Sequence, residues 1–216
     1  MPHSRPAPSK VNRQNMQERI LAVVALLLAL SVAAVALWWH PEPPVREVPR
    51  PGLPAGGDFV LETANGQVAL TDFRGRLLVL SFGYTACPDI CPTTLAGIAD
   101  AFAQLEPDEL KRSASLFVSV DPQRDTPQHL QQYVQFFNPA FIGATGEPAV
   151  LAEIARRYGV FYNRPDTGGS DDNYAIDHTA DIYLIDSNGR ITDKIAHGTT
   201  STAIAQAIRK QLQATP

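Results

Sequence analysis

Cys87 and Cys91 are the two thiols of a chain of 216 residues. They stand in Gly83-Tyr84-Thr85-Ala86-Cys87-Pro88-Asp89-Ile90-Cys91-Pro92, just after Leu77–Phe82, an apolar run of the buried-strand type. Leu95, Ile98, Ala99, Phe102 and Leu105 follow at helical spacing, which puts the pair at the start of a helix. A helix N-terminus carries partial positive charge and free N–H groups, so thiolate is expected to be favoured over thiol there. Residues four apart on a helical turn share a face, with about 5–6 Å between Cβ atoms. Such a pair suits a disulfide after slight adjustment, or one soft metal ion held between two thiolates. A purely structural bridge is the blander alternative, but closing so short a loop restrains the unfolded chain little. Two Cys exclude a disulfide-rich scaffold and a four-thiolate zinc site. Met1 and Met16 are the only methionines, so the rest of the chain offers a metal no thioether.

The elements that must position these thiols can be read in order. Phe59–Thr63 and Val68–Thr71 flank Asn65-Gly66, a hairpin signal. After the cysteine helix, Leu116–Val120 reads as a second buried strand, and Thr126-Pro127 opens a helix running to about Phe137. Phe141–Ala144 reads as a short strand, and Val150, Leu151, Ile154, Ala155 and Tyr158 make a helical face. Ile182–Asp186 and Arg190–Ala196 flank Ser187-Asn188-Gly189, a second hairpin, and Ser201 caps a last helix carrying Ile204, Ile208 and Leu212. This order predicts an α/β sandwich with a mixed sheet, compatible with a thioredoxin-like fold.

Ahead of that domain, Ile20–Trp39 is an apolar run of 20 residues broken only by Ser31. As a helix it would be about 30 Å long, the thickness of a bilayer's hydrocarbon core. Arg5, Lys10, Arg13 and Arg19 precede it, opposed by Glu18 alone, so the positive-inside rule leaves the N-terminus in the cytoplasm and exports the rest. A signal peptide cleaved after Ala34-Val35-Ala36 is the rival, and a mitochondrial presequence a weaker one. Residues 40–57 hold six prolines and read as a stiff spacer. The expected organisation is therefore a cytoplasmic N-terminus (1–19), a transmembrane anchor (20–39), a Pro-rich linker (40–57) and one domain (58–216). Residues 58–216 carry 12 Lys/Arg against 19 Asp/Glu, a net charge of −7 that argues against nucleic acid as a partner.

Five His are present. His3 and His40 lie outside the domain, and His129 falls in the first turn of an amphipathic helix, where solvation is expected. His178 and His197 remain as candidate nitrogen ligands. Asp121, Arg124 and Asp125 follow a strand that should end on the cysteine side. Asp121 there could bias the thiols, but the favoured reading is structural, with Arg124 and Asp125 as a surface pair beside the helix cap. Arg164–Asp177, with its Gly168-Gly169-Ser170, reads as a mobile loop able to carry His178 toward an arriving metal.

Four segments carry a resemblance: FGYTACPDICPTTL (82–95), SVDPQRDTP (119–127), FIGATG (141–146) and DHTADIYLIDSNG (177–189). The sequence resembles the Sco/SenC family of copper-binding assembly proteins for cytochrome c oxidase, over nearly all of 58–214 and with a single N-terminal anchor. The resemblance implies a thioredoxin-like fold and copper bound by Cys87, Cys91 and His178, the last in the loop before Ile182–Asp186. It further implies support for the copper A site of oxidase subunit II, with other copper chaperones or thiol oxidoreductases as further partners, and a bacterial inner-membrane protein with its domain in the periplasm. Two thiolates and an imidazole suit Cu(I), or Cu(II) with an added oxygen ligand. Asp177 and Asp181 are candidates to orient the imidazole, although for each alone the favoured reading is a turn or cap residue. The competing reading is a membrane-tethered thiol-disulfide oxidoreductase using Cys87 and Cys91 as nucleophile and resolving thiol. Thiol-redox enzymes of this fold usually carry C-x-x-C and a Pro before the strand equivalent to Ile182. C-x-x-x-C and His178-Thr179-Ala180 depart from both. A peroxidase reading draws only on Thr85 and Cys87.

Overall fold

In the computed structural model, residues 10–38, 52–163 and 174–214 are described, with side chains of the first segment described for 17–31. The chain divides into two units, Met1–Val48 and Pro49–Pro216. The first contains helix α1 (Lys10–Trp38), which covers most of the apolar run, and its described side chains are exposed. Among the described residues no helix is long and apolar enough to cross a membrane.

The second unit begins with the hairpin β1 (Val60–Thr63) and β2 (Gly66–Ala69), paired Thr63 to Gly66. The second strand was expected to reach Thr71. It stops at Ala69 because the Asp72 carboxylate accepts the Ala69 N–H at 2.8 Å and turns Leu70–Phe73 into a 3₁₀ helix. Strand β3 (Leu77–Gly83) leads to α2 (Ile90–Phe102) and the short α3 (Pro107–Lys111). The sequence reading overlooked α3, although Pro107 at its first position and Glu109 capping the Glu106 N–H mark it. Then come β4 (Ser113–Ser119), α4 (Pro127–Phe137), β5 (Ile142–Ala144), α5 (Pro148–Tyr158), the two-residue strands β6 (Tyr162–Asn163) and β7 (Asp177–His178), β8 (Ile182–Ile185), β9 (Ile191–Ile195) and α6 (Ser201–Ala214).

The main sheet has the order β5-β4-β3-β8-β9. β3 pairs parallel with β4 and antiparallel with β8, so the sheet is mixed, as expected. Every residue of β3, β4 and β8 is buried. Strands covered on both faces need apolar side chains at consecutive positions, which is why these segments read as unbroken apolar runs. In the β8–β9 turn, Asp186 accepts the N–H groups of Asn188 and Arg190, each at 2.9 Å, and Gly189 supplies φ 77°. α2 packs against α6, with Ile204 approaching Gly97, and both helices bury an apolar face, Leu95 and Ile98 on α2 and Ile204 and Ile208 on α6.

Candidate metal centre

β3 delivers the first two site residues. It ends at Gly83, where a Cβ would stand 2.6 Å from Cys91 Sγ and 2.9 Å from the Phe117 ring. The strand end therefore has to be glycine for Cys91 to lie against it. A turn follows, closed by the Cys87 N–H on the Tyr84 carbonyl at 3.3 Å. Cys87 precedes α2 and Cys91 lies in its first turn, where its N–H donates to Cys87 Sγ at 3.4 Å. Both cysteines are free and buried, Cys91 to 2% exposure. The expectation that the helix start favours thiolate is not met at Cys91. Burial pushes its pKa far up, and the Cys87 sulfur beside it adds to the rise.

His178 arrives from the other side. It belongs to β7 rather than to a loop, with Tyr162 opposite it on β6. Its Nδ1 lies 2.9 Å from the Thr179 carbonyl oxygen, which can only accept, so Nδ1 carries the proton. Nε2 is left with its lone pair 3.1 Å from Cys91 Sγ. Burial lowers the His178 pKa and keeps the ring neutral, against the opposing pull of the Thr179 carbonyl and Asp177. The Tyr84 ring meets the imidazole edge to face, with centroids 5.7 Å apart.

One ligand atom from each of Cys87, Cys91 and His178 lies within 4.8 Å of the others. Among the described residues they are the one His/Cys/Asp/Glu group close enough to share an ion. Two sulfurs and an imidazole nitrogen are the donor set of a soft metal such as copper. His197 stands nearby but bonds through Nδ1 to Thr94 Oγ1 at 2.9 Å, and His129 is exposed. His3 and His40 lie outside the described residues, as does most of the segment 164–177 expected to be mobile.

The carboxylates near the site take other roles than the candidate ones. Asp177 is exposed and Asp181 pairs with Lys194 at 2.9 Å, so the backbone carbonyl of Thr179, not a carboxylate, orients the imidazole. Arg124 and Asp125 are not a surface pair. Asp121 and Asp125 are 1% and 0% exposed, and Arg124 pairs with Asp121. Burial works against the charge on Arg124, yet the Asp121 carboxylate raises its pKa overall. Asp125 accepts the Thr85 N–H at 2.9 Å, the Thr85 hydroxyl, and the Ser119 hydroxyl at 2.6 Å.

The sequence reading also missed Tyr84, Tyr174 and Tyr133. The buried Tyr133 hydroxyl has no hydrogen-bond partner among the described residues, and its pKa is raised first by burial and then by Cys91 and Cys87. Each is a lone aromatic without a motif of its own. The available signal was position, since Tyr84 and Tyr174 lie three or four residues from a ligand.

The family model described as SCO1/SenC matches residues 48–213. A SCO2-like protein of Rickettsia prowazekii is 36% identical over 177 residues, spanning 80% of this chain and 86% of its own length. The mitochondrial SCO2 homolog of Bos taurus is 33% identical over 223 aligned positions, spanning 98% of this chain and 84% of its own. The crystal structure of Arabidopsis thaliana ScoI with copper bound aligns with a TM-score of 0.65 at 32% identity, over 74% of this chain and 99% of that one.

Proposed function

We propose that this chain, which belongs to the SCO1/SenC family, is a copper metallochaperone that binds one copper ion through Cys87, Cys91 and His178 and supports assembly of the copper A site of cytochrome c oxidase. The observation that carries this reading is the meeting of three donors from two separate segments, with the Nε2 lone pair facing sulfur. A neutral thiol and a neutral imidazole share one hydrogen bond in the metal-free site, and ligation requires the thiols to give up their protons. Copper is cargo here, and what the protein supplies is a dry, soft, three-donor seat with a fixed imidazole tautomer.

The test is a titration of the purified, reduced protein with Cu(I) and with Cu(II), reading stoichiometry and visible absorption. One copper per chain with a thiolate charge-transfer band is expected. Cu(II) binding with no thiolate band would overturn the assignment.

The second reading, thiol–disulfide exchange, draws on one observation. Both cysteines are free, and the Cys91 N–H donates to Cys87 Sγ, so the two residues sit close enough for bridging to be considered. Exchange needs a thiolate and an accessible disulfide, and not a third ligand. His178→Ala separates the two. Full oxidase assembly by that variant at limiting copper, with Cys87→Ala inactive, would favour redox chemistry alone.

The anchor belongs to the same proposal. The Lys/Arg bias ahead of Ile20 supports a single-pass inner-membrane protein with a periplasmic domain. A reporter fused after Pro216 is then active only on the exported side, and cytoplasmic activity would refute that placement.

A further inference from the structure

The loop between β4 and α4, Asp121–Thr126, contributes no candidate ligand, yet its side chains reach both ligand-bearing segments. On the cysteine side, the fully buried Asp125 holds Thr85, two residues before Cys87, through both backbone and hydroxyl. On the histidine side, Asp121 accepts the Tyr174 hydroxyl at 2.6 Å and the Arg124 guanidinium. Arg124 in turn donates to the Tyr174 carbonyl at 2.9 Å and lies over the Tyr174 ring at 3.6 Å. Arg124 also lies over Tyr84, with the guanidinium 5.4 Å from that ring centroid. Tyr84 closes the circuit. Its hydroxyl accepts the Ile176 N–H at 3.1 Å, and its ring edges onto His178.

We propose that this loop is a bracket that sets the distance between the cysteine turn and the histidine strand, with Arg124, Asp121 and Tyr174 acting as positioning residues for His178. The argument is one of supply and demand for order. A two-residue strand pairing offers little to fix a side chain. The described segment on its N-terminal side is Tyr174–Ile176; its Tyr174 end is tied to the bracket, and its Ile176 end to Tyr84 of the cysteine turn, whose ring lies beside Arg124. Charge-assisted hydrogen bonds are the strong ones, and a planar guanidinium that stacks on a ring while donating to its own backbone carbonyl leaves that residue little freedom. The loop grips Thr85 with the second carboxylate, so the two ligand segments share one reference point. Copper then meets a nitrogen already in place, and binding does not carry the cost of ordering it.

The inference rests on the copper reading for its binding arm, but not for its dynamic arm. In the metal-free, reduced protein, Tyr174→Phe and Arg124→Ala are expected to speed amide hydrogen exchange at residues 174–178 while exchange in α2 stays as in the wild type. With copper, both are expected to weaken binding by about 10–100-fold, the range for residues that orient a ligand, and to broaden the Cu(II) spectrum into several species. Arg124→Lys, which keeps the charge beside Asp121 but not the planar fork, is expected to recover part of the loss. The reactivity of Cys87 and Cys91 toward a thiol reagent is expected to be unchanged. Should Arg124→Ala fail to fold, Tyr174→Phe removes a single hydroxyl and carries the test. Wild-type exchange at 174–178 together with wild-type copper affinity in Tyr174→Phe and Arg124→Lys would overturn the bracket. A wild-type protein that binds no copper would refute the proposed function instead, leaving the exchange result to decide the bracket.

Discussion

Cys91 and His178 face each other across 3.1 Å, but the two are held in place by different means. Cys91 sits on a helix of 13 residues whose buried face includes Leu95, Ile98, Ala101 and Phe102. Each large apolar side chain buried there contributes about 1.5–3 kcal/mol, and the strand before it is buried throughout. His178 sits on a strand of two residues, and polar groups hold the described chain on either side of it. The cysteines are thus a product of the hydrophobic core, whereas the histidine is placed by hydrogen bonds and one partly buried ion pair. Apolar packing tolerates many substitutions of similar volume, while a polar network fails when one partner is lost. The two sides should therefore break differently.

The largest effect is expected on the sulfur side. Cys87→Ala or Cys91→Ala abolishes tight copper binding, because a domain without methionine has no other soft donor to substitute. Neither change removes much apolar volume, so circular dichroism should still report a folded domain. Tight one-to-one binding by either variant would dissolve the contrast.

His178→Ala comes next. It weakens copper binding strongly and alters the Cu(II) spectrum, yet leaves formation and reduction of the Cys87–Cys91 disulfide nearly intact. A loss of thiol reactivity as large as the loss of copper binding would mean that the two sides are one unit.

Smaller in binding, but larger in stability, is Asp125→Asn. One acceptor oxygen becomes a donor, facing either the Thr85 hydroxyl or the Thr85 N–H and the Ser119 hydroxyl, at a cost of about 1–3 kcal/mol. Thermal unfolding should move down, and an unshifted midpoint would show that this carboxylate is not what fixes the cysteine turn. The smallest effect belongs to Thr126→Ala. Its hydroxyl accepts the His129 N–H at 3.3 Å, and losing that cap costs about 1 kcal/mol. Copper binding should be untouched, which makes it the control for stability changes alone.

The same division decides what could be read from the amino-acid order. The core side was legible because burial on both faces demands unbroken apolar runs, so β3, β4 and β8 and the cysteine helix could all be placed within a few residues. Cys87 and Cys91 announced themselves as the chain's only thiols. His178 was not separable from His197 by pattern, and the family resemblance selected it. Asp121, Arg124 and Asp125 were seen, but Arg124 and Asp125 were misread as a surface pair, because charged residues after a strand usually lie in solvent. Nothing local signals that Tyr174, 50 residues beyond Arg124, bonds to it. The Thr179 carbonyl could not be foreseen as the imidazole's anchor, since backbone acceptors leave no mark in side-chain identity. The anchor and linker stay where the residue pattern put them, as expectations about residues 1–57.

Gly83 carries a consequence of another kind, for which substitutions this chain can accept together. Where a side chain at that position would begin, Cys91 Sγ and the Phe117 ring already stand, at 2.6 and 2.9 Å. Positions 83 and 91 are therefore mutationally coupled through a shared volume. Gly83→Ala alone forces the sulfur and the ring aside, the kind of overpacking that costs about 1–3 kcal/mol. Made in a background that already holds Cys91→Ala, the same change meets no sulfur and collides with the ring alone, so its penalty shrinks without vanishing. The non-additivity of that double mutant is the measure of how much of the strand's end is reserved for one atom.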